Sequence, residues 1–133
     1  MKAHCLCRSV RLETGEHHTA DACHCSMCRR WSGGPLLAVP CGSDVRIEGA
    51  EHITAYRSSD WAERAFCSKC GSHLYYRYLP TGEHFVPAGL FEDDSGLTFT
   101  MQIFVDNKPA YYDFANDTEK LTEAQVLAQF GAE

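Results

Sequence analysis

Eight cysteines carry most of the chemistry this chain can offer, and seven of them stand in close groups: Cys5-Leu6-Cys7, Cys23-His24-Cys25-Ser26-Met27-Cys28 and Cys67-Ser68-Lys69-Cys70-Gly71. Side chains of an extended segment alternate with period two, so Cys5 and Cys7 share a face, as do Cys23 and Cys25. A turn over residues 25–28 brings the third thiol back toward the other two. Thiolates on one tetrahedral zinc stand roughly 4 Å apart, each about 2.3 Å from the metal, a separation that such turns supply. The run Cys67-Ser68-Lys69-Cys70-Gly71 is a zinc-knuckle pattern. Gly71 permits the tight bend after the second sulfur, and Lys69 and the turn N–H groups offset thiolate charge.

The seven grouped thiols divide into three and four. Cys23, Cys25 and Cys28 are local to one another, which leaves Cys5, Cys7, Cys67 and Cys70 for a site joining the N-terminus to the middle of the chain. Four protein ligands mark a structural zinc, whereas three with an open position mark a catalytic one. The expectation is therefore two zinc ions per chain, the second a reactive centre on Cys23, Cys25 and Cys28. Paired spacings without an export-type segment favour metal over disulfides. Thioredoxin-like redox chemistry at Cys67 and Cys70 would need a strand feeding a helix, and Gly71 with a strand-like run follows instead. Cys41 has no partner at ligand spacing and reads as a buried thiol, with closure of the three-cysteine site as the lesser alternative.

The elements that must position these thiols are short strands. Alternation marks Val10–Glu13 and Asp44–Gly49; Leu36–Cys41 reads as a buried strand and Ile53–Arg57 as another. His73–Leu79 and His84–Leu90 form a hairpin turned by Pro80–Glu83, and Leu97–Met101 continues through Ile103-Phe104-Val105. A helical turn follows the three-cysteine run and is stopped by Gly33-Gly34-Pro35. The one full helix comes last: Thr122 and Gln125 make a capping box, Leu121 and Val126 a hydrophobic staple, and Val126, Leu127 and Phe130 a buried stripe ended by Gly131. His17 and His18 read as loop histidines, His73 and His84 as hydrogen-bonded strand residues, and the aromatic clusters as core.

A chain of 133 residues suits one domain over 1–133, and an apolar share of 44% with fifteen aromatic residues suits a globular one. Ionising seven thiols and binding two zinc ions takes the formal charge from −6 to about −9. With no Lys/Arg cluster beyond Arg29-Arg30, nucleic acid is excluded as a partner. No apolar run is long enough to span a membrane, and Met1-Lys2-Ala3-His4-Cys5 carries no signal-peptide core, so the expected location is the cytoplasm. Composition leaves the oligomeric state, including a homo-oligomer, open.

Taken together, Cys5-Leu6-Cys7-Arg8-Ser9-Val10-Arg11, Cys23–Arg30, Tyr56-Arg57-Ser58-Ser59, Phe66-Cys67-Ser68-Lys69-Cys70-Gly71-Ser72 and Ile103-Phe104-Val105-Asp106-Asn107-Lys108-Pro109 resemble the glutathione-dependent formaldehyde-activating enzyme family, to which centromere protein V belongs. The resemblance runs from about residue 4 to about residue 114. It implies a mainly β, β-tent fold of twisted antiparallel sheets, a structural zinc on Cys5, Cys7, Cys67 and Cys70, and a second zinc on Cys23, Cys25 and Cys28. It also implies a carbon–sulfur lyase that joins glutathione reversibly to formaldehyde as S-hydroxymethylglutathione, with a glutathione-like thiol as partner. Gln102 stands where the family often has His, a departure that bears on the substrate pocket. Three thiolates on Zn²⁺ sum to −1, a weaker Lewis acid than three histidines would make but one suited to a soft thiolate. Arg29, Arg30, Arg64 and Lys108 are candidates to meet substrate carboxylates. The rival expectation is a zinc-stabilised binding module whose three-cysteine site is closed by Cys41 or a His; the lack of a basic tail argues against a chromatin role.

Overall fold

Period-two patterning carries through into a mainly β chain. The structure, a computed structural model, describes residues 1–131. The strands are β1 (Lys2–His4), β2 (Arg11–Thr14), β3 (Thr19–Cys23), β4 (Leu36–Gly42), β5 (Val45–Glu48), β6 (Ile53–Arg57), β7 (Ala62–Cys67), β8 (His73–Tyr78), β9 (Glu83–Pro87), β10 (Thr98–Ile103) and β11 (Glu119–Leu121). The helices are α1 (Ser26–Ser32) and α2 (Glu123–Phe130), and among the described residues no helix is long and apolar enough to cross a membrane.

Two sheets form. A three-stranded one runs β1-β2-β5, and an eight-stranded one runs β11-β10-β3-β4-β9-β8-β7-β6. One core cluster joins Ala3, Val10 and Leu12 to Val39, Ala65, Leu74 and Val86, all buried. A second gathers Cys23, Cys25 and Cys28 with Phe104, Leu121 and Val126. The first cluster thus ties the two sheets together and includes Cys5, Cys41 and Cys67, while the second gathers around the other three thiols. Gly49, just after β5, shows how closely the chain packs near the first cysteines. Its φ is +86°, and a Cβ there would lie 1.9 Å from the Ser9 carbonyl oxygen, so only glycine fits.

The large sheet is mixed, which differs from the antiparallel expectation. Strands β3, β4, β9, β8, β7 and β6 pair antiparallel, but β10 runs parallel to both β3 and β11. Parallel pairing needs a long connection, and the chain between Cys23 and Thr98 supplies one. Strand β10 also stops at Ile103 rather than running on to Val105. Phe104 takes φ 55°, the left-handed region, and begins a short turn over Val105–Asn107. Its side chain, 4% exposed, packs into the sulfur-rich cluster, and that burial holds the unusual backbone.

Helix α2 starts as the sequence reads. Thr122 accepts from the Gln125 N–H, the Gln125 side chain accepts from the Thr122 N–H, and Leu121 and Val126 are both buried in one cluster. The stripe is shorter than expected. Leu127 and Phe130 are 48% and 55% exposed, while Val126 is buried where α2 packs on β11 and the Val105–Asn107 turn.

Candidate metal centres

The four-cysteine group is assembled from two turns. Cys5 and Cys7 follow β1; Cys67 ends β7 and Cys70 lies in the turn after it. All four Sγ atoms lie within 4.8 Å of one another, with Cys5–Cys7 at 3.7 Å and Cys7–Cys67 at 3.8 Å. Tetrahedral bonds of about 2.3 Å place sulfurs roughly 3.8 Å apart, so the donor set and its spacing both fit zinc. Backbone and hydroxyl donors serve the sulfurs. The Val10 N–H points at Cys5 Sγ at 3.5 Å, and Ser72 Oγ, which also accepts from the Leu6 N–H, lies 3.2 Å from Cys70 Sγ. The Ser72 hydroxyl first and its N–H second bring the Cys70 thiol down to about 5. Ser9 lowers Cys7 in the same way, whereas burial pushes Cys5 up. Gly71, at φ 77° and donating to the Cys67 carbonyl at 2.8 Å, makes the bend that closes this turn.

The three-cysteine group is built around the start of α1. Cys23 ends β3, Cys25 is the N-cap of the helix with extended φ −63° and ψ 157°, and Cys28 lies one turn in. Their Sγ atoms are mutually within 4.8 Å, and all three residues are buried. The Cys25 sulfur takes the capping place usual for a serine or aspartate oxygen, accepting from the Cys28 N–H at 3.3 Å. Arg64 reaches the same group from β7. Only 1% exposed, it donates through Nη1 to Cys28 Sγ at 3.4 Å, with its guanidinium 5.0 Å from the centre of the Tyr76 ring.

Among the described residues no His, Cys, Asp or Glu joins these three sulfurs as a fourth member. Cys41 belongs to the other core cluster, donates to the Val39 carbonyl at 3.3 Å, and is pushed up to about 11 by burial. His17, His18, His73 and His84 likewise stand outside both groups.

Sequence reasoning missed His24. Lying between Cys23 and Cys25 on an extended segment, it must face away from them, and that alternation was the available signal. It is fully buried, with Nδ1 2.7 Å from Tyr112 Oη and Nε2 2.8 Å from Gln102 Oε1. The Gln102 amide NH₂ donates to Thr118 Oγ1 at 2.8 Å, so its oxygen faces His24. This arrangement makes Nε2–H the donor and leaves Nδ1 to accept from the Tyr112 hydroxyl. Burial holds His24 below the usual histidine range, with Lys108 and Arg29 acting in the same direction. The His24 N–H also donates to the Ile103 carbonyl at 3.1 Å, fastening the cysteine-bearing segment to β10. Gln102 is thus part of a buried lock behind the thiols.

The four basic candidates have different environments. Arg29 Nε donates to the His24 carbonyl at 2.9 Å, and Lys108 Nζ pairs with Asp113 at 2.8 Å while donating to the Pro109 and Tyr112 carbonyls. Arg30 is exposed on α1, and Arg64 is interior. A depression of about 250 Å³ lies elsewhere, over the three-stranded sheet, lined by both signs of charge from Lys2, Arg11, Arg46, Glu13, Glu48 and Glu92. It contains no thiol.

The sequence model for glutathione-dependent formaldehyde-activating enzymes matches residues 1–107. The chain belongs to this family. As a member it is an enzyme of the carbon–sulfur lyase type. It is 36% identical over 128 residues to an uncharacterised lyase of Schizosaccharomyces pombe, covering 95% of this chain and 93% of that one. A Halomonas elongata protein, provisionally named a glutathione-dependent formaldehyde-activating enzyme, is 32% identical over 85 residues, 56% of this chain and 54% of its own length. The crystal structure of a Rhodobacter sphaeroides protein superposes with a TM-score of 0.60 at 29% identity, covering 75% of this chain and all of that one.

Proposed function

We propose that the chain is a zinc-dependent carbon–sulfur lyase that joins a small thiol of the glutathione type reversibly to an aldehyde, formaldehyde being the first substrate to test. The observation that carries this reading is the gathering of two sulfur groups: four at tetrahedral spacing from distant turns, and three buried ones whose Sγ atoms lie within 4.8 Å of one another. In this reading Cys5, Cys7, Cys67 and Cys70 hold a structural zinc, and Cys23, Cys25 and Cys28 hold a second. When bound, that second zinc supplies Lewis acidity and an open position at which a thiol can ionise.

The chain's own residues do the rest. Cys23, Cys25 and Cys28, which would hold the metal, are brought together by the end of β3 and the N-cap of α1. Phe104, Leu121 and Val126 pack behind them and keep water from that side. The His24, Gln102 and Tyr112 lock fixes the direction of the segment between Cys23 and Cys25. In the reaction a sulfur–carbon bond forms as the carbonyl π bond breaks, and the proton lost by the thiol ends on the new hydroxyl. The reverse step returns that proton and releases the aldehyde.

Exchange spectroscopy by NMR tests the proposal. Zinc-loaded protein, freed of excess metal, should accelerate interconversion of formaldehyde and its glutathione adduct, and a folded Cys25→Ser variant holding one zinc should not. An exchange rate indifferent to the two-zinc protein would rule out this substrate pair.

A further inference from the structure

Arg64 is the residue whose surroundings least match its expected part. A guanidinium meant for a substrate carboxylate should stand in solvent or at a cleft mouth, yet this one is 1% exposed. It sits on β7 among Trp31, His73, Tyr76 and Phe85, which line a small recess of about 10 Å³ beside it, room for a single water. Aromatic walls lower the local dielectric, so a charge here acts strongly on whatever it touches. What it touches is Cys28 Sγ, at 3.4 Å.

From this geometry we infer that Arg64 is the built-in charge partner of the three-thiolate centre, its guanidinium offsetting the net negative charge of the metal-loaded cysteines through the Cys28 sulfur. The inference rests on the proposed metal role of these cysteines. Three thiolates and Zn²⁺ leave one unit of negative charge in a mostly apolar cluster that also contains Phe104, Leu121 and Val126. Burying that charge uncompensated is unfavourable, and a guanidinium donating to one of the sulfurs removes most of the penalty. The four-cysteine group is served differently, by the Val10 N–H and the Ser72 hydroxyl, with two of its members not buried. Strand β7 therefore carries a residue for each centre: Cys67 for the first and Arg64, on the opposite face, for the second.

Outer partners of metal ligands typically change metal affinity by about 10–100-fold when removed. The test loads the whole protein with cobalt(II), whose thiolate bands report each site, and measures the two affinities by chelator competition in wild type, Arg64→Met and Arg64→Lys. Arg64→Met keeps an unbranched stem but removes the charge and the guanidinium over Tyr76. It should weaken the three-cysteine site by about 10–100-fold and leave the four-cysteine site unchanged, and Arg64→Lys should recover part of the loss. A role in packing alone predicts affinities unchanged from wild type at both sites in Arg64→Met, and that result overturns the inference while the metal reading stands. Wild-type protein that takes up cobalt at the four-cysteine site alone overturns both. Wild type also answers without mutation: the Arg64 guanidinium proton signals should shift on adding the second metal equivalent, and signals that do not respond reject the contact.

Discussion

Breaking the two sulfur groups one at a time should have unequal consequences for stability, because the metal proposed in each closes a chain loop of very different length. Cys7 and Cys67 are 60 positions apart, whereas Cys23 to Cys28 spans five. Treated as a cross-link on the unfolded chain, the long loop is worth about 4 kcal/mol and the short one about 2 kcal/mol. Against a total stability of roughly 5–15 kcal/mol, the first is a large share. For a domain of this size, about 1 kcal/mol moves the melting temperature by roughly 3–5 °C, so Cys67→Ser should lower it by about 12–20 °C and Cys25→Ser by about 6–10 °C. Both sulfurs are buried, at 0% and 5% exposure, so the local effect of exchanging sulfur for oxygen is similar and largely cancels in the comparison. Differential scanning calorimetry in saturating zinc, with metal content measured for each variant, reads the difference. Melting temperatures within about 2 °C of each other, or a lower one for Cys25→Ser, would refute the loop-closure reasoning.

Two more predictions concern buried histidines. Replacing His24 by Phe keeps the ring volume but leaves Gln102 Oε1 and Tyr112 Oη without the imidazole; zinc-saturated protein should lose about 1–3 kcal/mol in urea unfolding, and a loss well under about 1 kcal/mol contradicts the lock. His84 is held below the ordinary value of 6.5 by burial and then by Arg77. Its unfolded form therefore binds a proton before its folded form does, so its contribution is present above about pH 6.5 and is lost as pH falls below it. The difference in stability between wild type and His84→Phe should acquire a slope of up to about 1.4 kcal/mol per pH unit there; parallel pH profiles would show that the imidazole stays equally easy to protonate in both states.

Much of the candidate site was legible because its signals are local. Spacings of two and three residues select the thiols that the fold gathers, and the Thr122–Gln125 box forms as read. Less of the sheet was legible. Nothing in Leu97–Val105 shows that its strand will lie parallel to β3, or that Phe104 will turn into the left-handed region to reach the sulfur cluster. The helix stripe at Leu127 and Phe130 failed for a related reason: periodicity identifies an apolar face but not whether anything lies opposite it.

The sequence by itself determined which sulfurs can act together, where the chain must turn around them, and to which family it belongs. Only the tertiary structure decided what stands behind those sulfurs: Arg64 from a strand 36 positions beyond Cys28, and Tyr112 and Gln102 reaching His24 across 88 and 78 positions. The physical reason is one of range. Turn geometry and side-chain alternation act within a few residues and leave a mark in spacing, whereas the choice of which buried charge or amide meets a given ring or thiol depends on how distant strands stack.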